Sequence, residues 1–170
     1  MTRRVFISYQ HQDQMKAKGL NLMRYNEHID VNFVGRHLLD PVNSTDSDYI
    51  GAKVREQIKG SSATIVLIGT RTAESDWVSK EVDWSVAKDP PNGLVGIRID
   101  PDAEIPAPLL DAGAEILDWN IPDDISAFDA AIERAIAATA RSRNMPTNSI
   151  STCPRKQLQA DQPSRRLPAQ

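Results

Sequence analysis

Five short apolar runs alternate with segments of helical spacing along the chain. The third run, residues 63–68, is continuous and rich in β-branched side chains, which is typical of a strand covered on both faces. The other runs are interrupted by polar residues. We predict strands at residues 4–9, 31–34, 63–68, 94–99 and 114–119.

Four segments between and after these strands repeat their apolar residues with a helical period. In residues 47–59 apolar side chains recur at every fourth position, and Ser47 or Asp48 can cap the start. Gly60 stands where a left-handed residue commonly ends a helix. The helices are predicted at residues 13–27, 47–59, 75–88 and 123–141.

The alternation of strands and helices predicts a parallel sheet with helices on both faces and right-handed crossovers. For five strands the economical arrangement is an α/β, flavodoxin-like three-layer sandwich with the strand order 2-1-3-4-5. Ligands of such sheets bind outside the carboxyl ends of strands 1 and 3, where the strand order reverses. The functional site is therefore expected there.

Length and charge indicate one domain followed by a different tail. The 170 residues are 40% hydrophobic with a net charge of −3, which suits a single globular core. Periodicity ends near residue 141. Residues 141–170 carry four prolines and a net charge of +5, which leaves −8 for the rest. We predict a domain over residues 1–140 and a basic, Pro-rich, disordered tail over residues 141–170.

Composition also predicts the compartment and excludes two kinds of partner. No apolar run is long enough to span a membrane, and the N-terminus lacks the pattern of a signal peptide. The only cysteine, Cys153, has no partner for a disulfide. The tail has no aromatic side chain for base stacking. We expect a cytoplasmic protein with neither a membrane nor a nucleic acid as partner.

Several chemistries common on this fold lack their residues here. A receiver domain needs an acceptor aspartate at the end of strand 3, where this chain has Ile68, Gly69 and Thr70. A phosphate-binding loop needs glycines after strand 1, and residues 8–13 contain none. The histidines and the cysteine are not spaced as metal ligands, so no metal site is predicted. The functional groups that remain available for a site are hydroxyls, amides, aromatic rings and a carboxylate.

The third predicted helix carries the most distinctive group of side chains. At about 100° per residue, three valines form the natural core face: Val78, Val82 and Val86. Trp77, Glu81 and Trp84 then share the adjoining flank, with the carboxylate between two indoles. Partial desolvation there would raise the pKa of Glu81 and strengthen its interaction with a cationic transition state. On spacing alone, a solvated glutamate paired with Lys80 or Lys88 is the commoner case.

Four segments together point to a known family. Residues 4–9 resemble the opening strand of TIR (Toll/interleukin-1 receptor) domains. Residues 61–69 and 75–82 resemble that family's later strand and helix, where a Ser-x-Trp-x-x-x-Glu pattern carries the catalytic glutamate. Residues 116–119 stand where a late aromatic motif would fall. The closer match is to the TIR-like sensor of Thoeris antiphage defence, and the resemblance covers about residues 3–140.

This resemblance implies an enzyme that uses NAD⁺ as its substrate, with no bound cofactor. Glu81 would be the catalytic residue in the release of nicotinamide. The product would be ADP-ribose or a cyclic ADP-ribose isomer, which would reach a separate effector as an immune signal. Self-association is expected as well. A non-catalytic adaptor acting through homotypic contacts is the alternative, and a nucleotide-binding regulatory domain without turnover is a third possibility.

Residues near the expected site are substrate-binding candidates. They are Phe6, Ser8, Tyr9, His11, Arg36, Thr70, Ser75 and Trp77. The resemblance implies this role for Ser8 and Tyr9, and the chemistry and position of the others suggest it. Arg36, together with His37, is suited to the pyrophosphate, because a guanidinium can contact it in a bidentate manner. Purely structural roles stay open, with Phe6 in the core and Ser75 as a helix cap. Trp119 is expected to seal the core beside the last helix.

Overall fold

The computed structural model describes residues 3–25, 33–36, 46–119 and 125–144. Five parallel strands form one sheet in the order β2-β1-β3-β4-β5. The strands are β1 (Arg3–Ser8), β2 (Phe33–Arg36), β3 (Ala63–Ile68), β4 (Gly93–Arg98) and β5 (Glu115–Asp118). The predicted α/β fold is therefore confirmed, and the strand order is the expected one.

Five α-helices accompany the sheet within the described ranges. They are α1 (Gln14–Leu22), α2 (Ser47–Lys59), α3 (Asp76–Ala87), α4 (Ala107–Asp111) and α5 (Ile125–Asn144). Short 3₁₀ turns flank α1 at His11–Asp13 and Met23–Tyr25, so the described part of the helix predicted at residues 13–27 is divided. Residues 26 and 27 lie outside the described ranges. The sequence did not predict α4, because five residues are too few to show a helical period. No helix in the described part of the chain could cross a membrane.

Local side-chain contacts set the ends of the two helices nearest the expected site. Asp46 caps α2 by accepting from the N–H groups of Asp48 and Tyr49, so the predicted cap at Ser47 or Asp48 was wrong. The prediction that Gly60 adopts a left-handed conformation was also wrong, because its φ is −81°. The hydroxyl of Ser75 accepts from the N–H of Val78 at 3.3 Å and begins α3.

Apolar side chains cover both faces of the sheet, and the central strand β3 is buried along its whole length. On one face, Ile7, Ile65 and Val95 pack against α1 and α5 in a single cluster. Trp119 packs against this cluster, with its ring centroid 6.4 Å from that of Phe128. It therefore lies where the sequence predicted, beside the last helix.

On the other face of the sheet lie α2 and α3. Phe6 packs there against Val54 and Ile58 of α2, and two valines of α3, Val78 and Val82, pack against β3. The buried positions of α3 are 78, 81, 82 and 85, whereas Val86 is 46% exposed. The predicted valine stripe was thus wrong at its last member, since an i, i+4 ladder drifts about 40° per step around a helix. Two polar residues, Glu81 and Ser85, face the sheet instead.

The amino end of β4 lies in direct contact with the backbone of α5. A Cβ at Gly93 would stand 2.5 Å from the nitrogen of Ile136 and 2.6 Å from the carbonyl carbon of Ala135. Neither atom can move without shifting the helix. The absence of a side chain at Gly93 therefore sets how closely α5 covers the sheet.

Replacing Gly93 by alanine should destabilise the protein by about 2 kcal/mol, because backbone atoms must move to admit the methyl group. Gly19→Ala is the matched control. Gly19 lies within α1, and no heavy atom outside its own helical turns stands within 4 Å of where its Cβ would be. Alanine there should stabilise by about 0.5–1 kcal/mol through its higher helix propensity. Urea unfolding measures both changes, and equal effects at the two positions would contradict the close contact.

Candidate functional site

A cleft of about 330 Å³ opens at the carboxyl end of β1. Because β1 pairs with both β2 and β3, this end of β1 is where the strand order reverses. Side chains from β1, the segment after it, α2 and α3 form the walls. They belong to Phe6, Ile7, Tyr9, Gln10, His11, Val54, Ser75, Trp77 and Glu81. The cleft therefore lies at the position that the fold predicts for a ligand.

Glu81 places a buried carboxyl group in the wall of this cleft, with only 5% of its surface exposed. The hydroxyl of Ser8, the last residue of β1, donates to its Oε2 at 2.5 Å. The indole of Trp77 also hydrogen-bonds to the carboxyl group. Burial raises the pKa of Glu81 to about 7, against the opposing effect of the two hydrogen bonds. Near neutral pH both the ionised and the neutral form of Glu81 are therefore populated.

The two indoles of α3 have different roles. Trp77 lines the cleft, and Trp84 packs edge to face against it with a centroid distance of 5.9 Å. The guanidinium of Arg55 lies over Trp84 at 4.9 Å, and the ammonium of Lys80 lies over Trp77 at 5.7 Å. Trp84 thus supports Trp77 from behind. Lys80 contacts an indole and is not the ion-pair partner of Glu81 that spacing alone favoured.

The segment after β1 supplies the opposite wall. Burial raises the pKa of the Tyr9 phenol, and the negative charge of Glu81 raises it further. Tyr9 therefore presents a neutral, half-buried ring to the cleft. His11 is exposed at the start of the 3₁₀ turn. Between them, Gln10 accepts the N–H of Gln12 at 2.8 Å through its side-chain oxygen, which fixes the orientation of the carboxamide at the rim.

Two candidates combine a place in the cleft with a structural role. Phe6 is 2% exposed, packs in the core with α2 and also lines the cleft. Ser75 lines the cleft while its hydroxyl caps α3. For both residues, a place in the wall of the cleft is therefore compatible with a structural role.

Two other candidates are placed differently. Thr70 follows β3, is exposed, and donates to Asp100 at 3.2 Å rather than lining the cleft. Arg36 ends β2 with its backbone paired opposite Phe6, and its side chain lies outside the described structure. His37 and the residues up to 45 lie outside the described ranges as well. Contacts between these residues and a pyrophosphate stay a prediction.

Three lining residues were not anticipated: Ile7, Gln10 and Val54. Val54 belongs to the apolar stripe of α2, and the stripe alone does not show which member reaches the cleft. Gln10 lies between Tyr9 and His11, which were predicted to bind the substrate, but was not itself predicted to do so. Among the described residues, no group of three or more His, Cys, Asp or Glu side chains is placed to bind a metal.

The fold is similar to that of a TIR domain of known structure. The TIR domain of the Toll-related receptor TRR-2 from Hydra magnipapillata matches with 19% identity and a TM-score of 0.53, over 80% of this chain and 99% of that domain. The TIR domains of the activated Roq1 resistosome match with 15% identity and a TM-score of 0.39, over 82% of this chain and 84% of theirs. At 19% identity, the likeness to the Hydra domain shows the fold alone.

Sequence comparison defines the family more narrowly. No curated protein matches the chain. A family model described as the TIR-like domain of Thoeris protein ThsB matches residues 6–104, more than half of the chain. The matched range contains Trp77 and Glu81, which line the cleft, and Ser8, which does not line it but donates to the Glu81 carboxyl group. The chain therefore belongs to the family of Thoeris ThsB TIR-like domains.

Proposed function

We propose that this protein cleaves the glycosidic bond between nicotinamide and ribose in NAD⁺. The observation that carries the proposal is the buried carboxyl group of Glu81 in the cleft wall, bonded to Ser8 and Trp77. Its position after Ser75 and Trp77 on α3 agrees with the catalytic glutamate that the family resemblance implies. A cleft of about 330 Å³ is within the range of small-molecule sites and suits one end of a dinucleotide.

In this mechanism the ionised carboxylate stabilises positive charge on the ribose. As the bond from the anomeric carbon to the ring nitrogen breaks, the electron pair leaves with nicotinamide, which becomes neutral. The ribose then has oxocarbenium character, and a carboxylate in a poorly solvated wall stabilises it more strongly than one in water. The hydrogen bond from Ser8 and the indole of Trp77 hold the carboxylate in place.

Aromatic side chains suit the leaving group before the bond breaks. The nicotinamide ring of NAD⁺ is cationic, and the rings of Tyr9 and Trp77 both line the cleft. A cation over an aromatic face is attracted by the quadrupole of the ring. Loss of the charge as nicotinamide departs weakens this attraction and favours its release.

The second half of the reaction decides the product. If water attacks the anomeric carbon, its proton passes to a base such as Glu81 and the product is ADP-ribose. If an internal nucleophile of the substrate attacks instead, such as a ribose hydroxyl or an adenine nitrogen, a proton passes to a base and the product is a cyclic ADP-ribose isomer. Either product would serve as the signal to a separate effector in bacterial antiphage defence. Self-association and a cytoplasmic location belong to the same proposal.

Glu81→Gln should lower nicotinamide release by about 100-fold or more, because the amide cannot supply the negative charge. Mass spectrometry of the products from NAD⁺, with and without a crowding agent, measures the change. Glu74→Gln is the matched control, since Glu74 precedes α3, is exposed and pairs with Arg71 at 3.6 Å. No release by the wild type in any assembly state would contradict the proposal and favour the non-catalytic adaptor.

The pH profile of kcat/KM should fall on the acid side by about tenfold per pH unit below about pH 7, because only ionised Glu81 is active. Ser8→Ala should move this midpoint to higher pH, since the lost hydrogen bond favours the ionised form. Initial rates between pH 5 and 9 test both statements. A profile without an acid limb would show that Glu81 does not act as a carboxylate.

Glu81→Gln should also change the pH dependence of stability. The pKa of Glu81 rises from 4.5 to about 7 on folding, so the wild type loses stability as the pH rises between these values. Above about pH 7 the loss is complete, at roughly 3 kcal/mol. The glutamine variant lacks this loss and should exceed the wild type most at alkaline pH. Urea unfolding at pH 5 and pH 8.5 measures the difference, and an equal effect at both would contradict the raised pKa.

A further inference from the structure

A second set of polar side chains, all buried except a half-buried lysine, lies between α3 and the sheet, outside the residues that line the cleft. Lys88, Asn92, Thr64 and Ser85 form a continuous chain of hydrogen bonds, called here the anchor chain. Thr64 and Ser85 are fully buried, and Asn92 is 1% exposed. The anchor chain ends at the main-chain carbonyl of Glu81, which accepts from the Ser85 hydroxyl at 2.8 Å.

The direction of every hydrogen bond in the anchor chain is fixed. Ser85 uses its one proton on the Glu81 carbonyl, so Thr64 must donate in the 2.7 Å contact between the two hydroxyls. Thr64 accepts in turn from the amide nitrogen of Asn92 at 2.9 Å. The amide oxygen of Asn92 accepts from the ammonium of Lys88 at 2.6 Å. The chain therefore runs in one direction, from a cation to the Glu81 main chain.

The cationic end of the anchor chain also holds α2. Besides Asn92, the ammonium of Lys88 donates to the carbonyls of Ile58 at 3.3 Å and Ser61 at 2.5 Å, so its three protons are all used. Ile58 lies in the last turn of α2, where a cation is favoured by the helix dipole. The second amide proton of Asn92 goes to Ser61 at 2.9 Å. The anchor chain thus joins α3 to α2, to β3 and to the loop before β4.

Glu81 is consequently held at two points by two neighbouring strands. Its carboxyl group is bonded to Ser8 on β1, and its main chain is linked through Ser85 to Thr64 on β3. Thr64 pairs in register with Phe6, two residues before Ser8 on β1. Apolar contacts alone would allow α3 to slide or rotate on the sheet, whereas hydrogen bonds have direction and a satisfied buried network is rigid.

We propose that Thr64, Ser85, Asn92 and Lys88 are positioning residues that fix α3 on the sheet so that the Glu81 carboxyl group meets Ser8 at the cleft. Their effect on turnover rests on the proposed function. None of them lines the wall of the cleft with Glu81, so they act through the helix. The arrangement explains why the buried face of α3 contains a serine over a threonine where two apolar residues would pack.

Thr64→Val tests the proposal, because valine keeps the shape and removes the hydroxyl. We expect kcat for nicotinamide release to fall by about tenfold or more, since small misplacements of a catalytic group are costly. KM should change by less than about twofold, because binding contacts remain. Thr64→Ser keeps the hydroxyl and should restore kcat. Ile132→Val, a core change in the cluster on the opposite face of the sheet, controls for lost stability.

A readout independent of turnover separates this proposal from the proposed function. With carbon-13 in the glutamate carboxyl groups, NMR follows the titration of Glu81, identified by its loss in Glu81→Gln. The midpoint should move in Thr64→Val and stay near the wild-type value in Thr64→Ser and Ile132→Val. Ser85→Ala removes the bond to the Glu81 carbonyl and serves as a second variant if Thr64→Val does not fold.

The outcomes are distinct. If the wild type releases no nicotinamide but Thr64→Val or Ser85→Ala moves the Glu81 midpoint, the proposed function fails and the positioning role stands. If the wild type is active and these variants match Ile132→Val in both midpoint and kcat, the anchor chain is only structural and this proposal is overturned. The same conclusion follows if Thr64→Ser is as impaired as Thr64→Val.

Discussion

The contact between the Ser8 hydroxyl and the Glu81 carboxyl group is the interaction on which the candidate site depends. The two residues are 73 positions apart in the chain. They meet because β1 and β3 are neighbours in the sheet. The helix that follows β3, α3, packs on the face of the sheet from which the Ser8 side chain projects. Burial of the carboxyl group follows from this packing, and its raised pKa follows from the burial. Topology thus determines the surroundings of the Glu81 carboxyl group and its pKa.

Much of the fold could be predicted because apolar periodicity is a local property of the chain. The strand at residues 63–68 and the helix at residues 47–59 agree with β3 and α2 at both ends. The failures arose where a tertiary contact decided the outcome. The rotation of α3 was misjudged at Val86, since Ser85 faces Thr64 and its hydrogen bonds place that side of the helix against the sheet. A pattern of apolar residues cannot show that polar side chains make up half of the buried face of a helix, as they do in α3.

The candidate site was predictable to a similar degree. Residues from Phe6 to His11 are contiguous, so locating the end of β1 placed most of one wall at once. Glu81 was identified by its helix face and by a family resemblance, and spacing alone favoured a solvated role. The position of Thr70 outside the cleft lining could not be predicted, because its partner, Asp100, follows β4 and is distant in sequence. Gln10 and Val54 reach the cleft through three-dimensional packing, which no short motif records.

Because the pKa of Glu81 is about 7, binding of a cationic ligand in the cleft would be coupled to proton release. A cationic ring beside the carboxyl group favours its ionised form, so the arrival of such a ligand lowers the pKa. Near neutral pH the neutral fraction then gives up its proton to the solvent. The apparent binding enthalpy would therefore depend on the ionisation enthalpy of the buffer, and affinity for a cation would increase with pH while affinity for a neutral analogue would not.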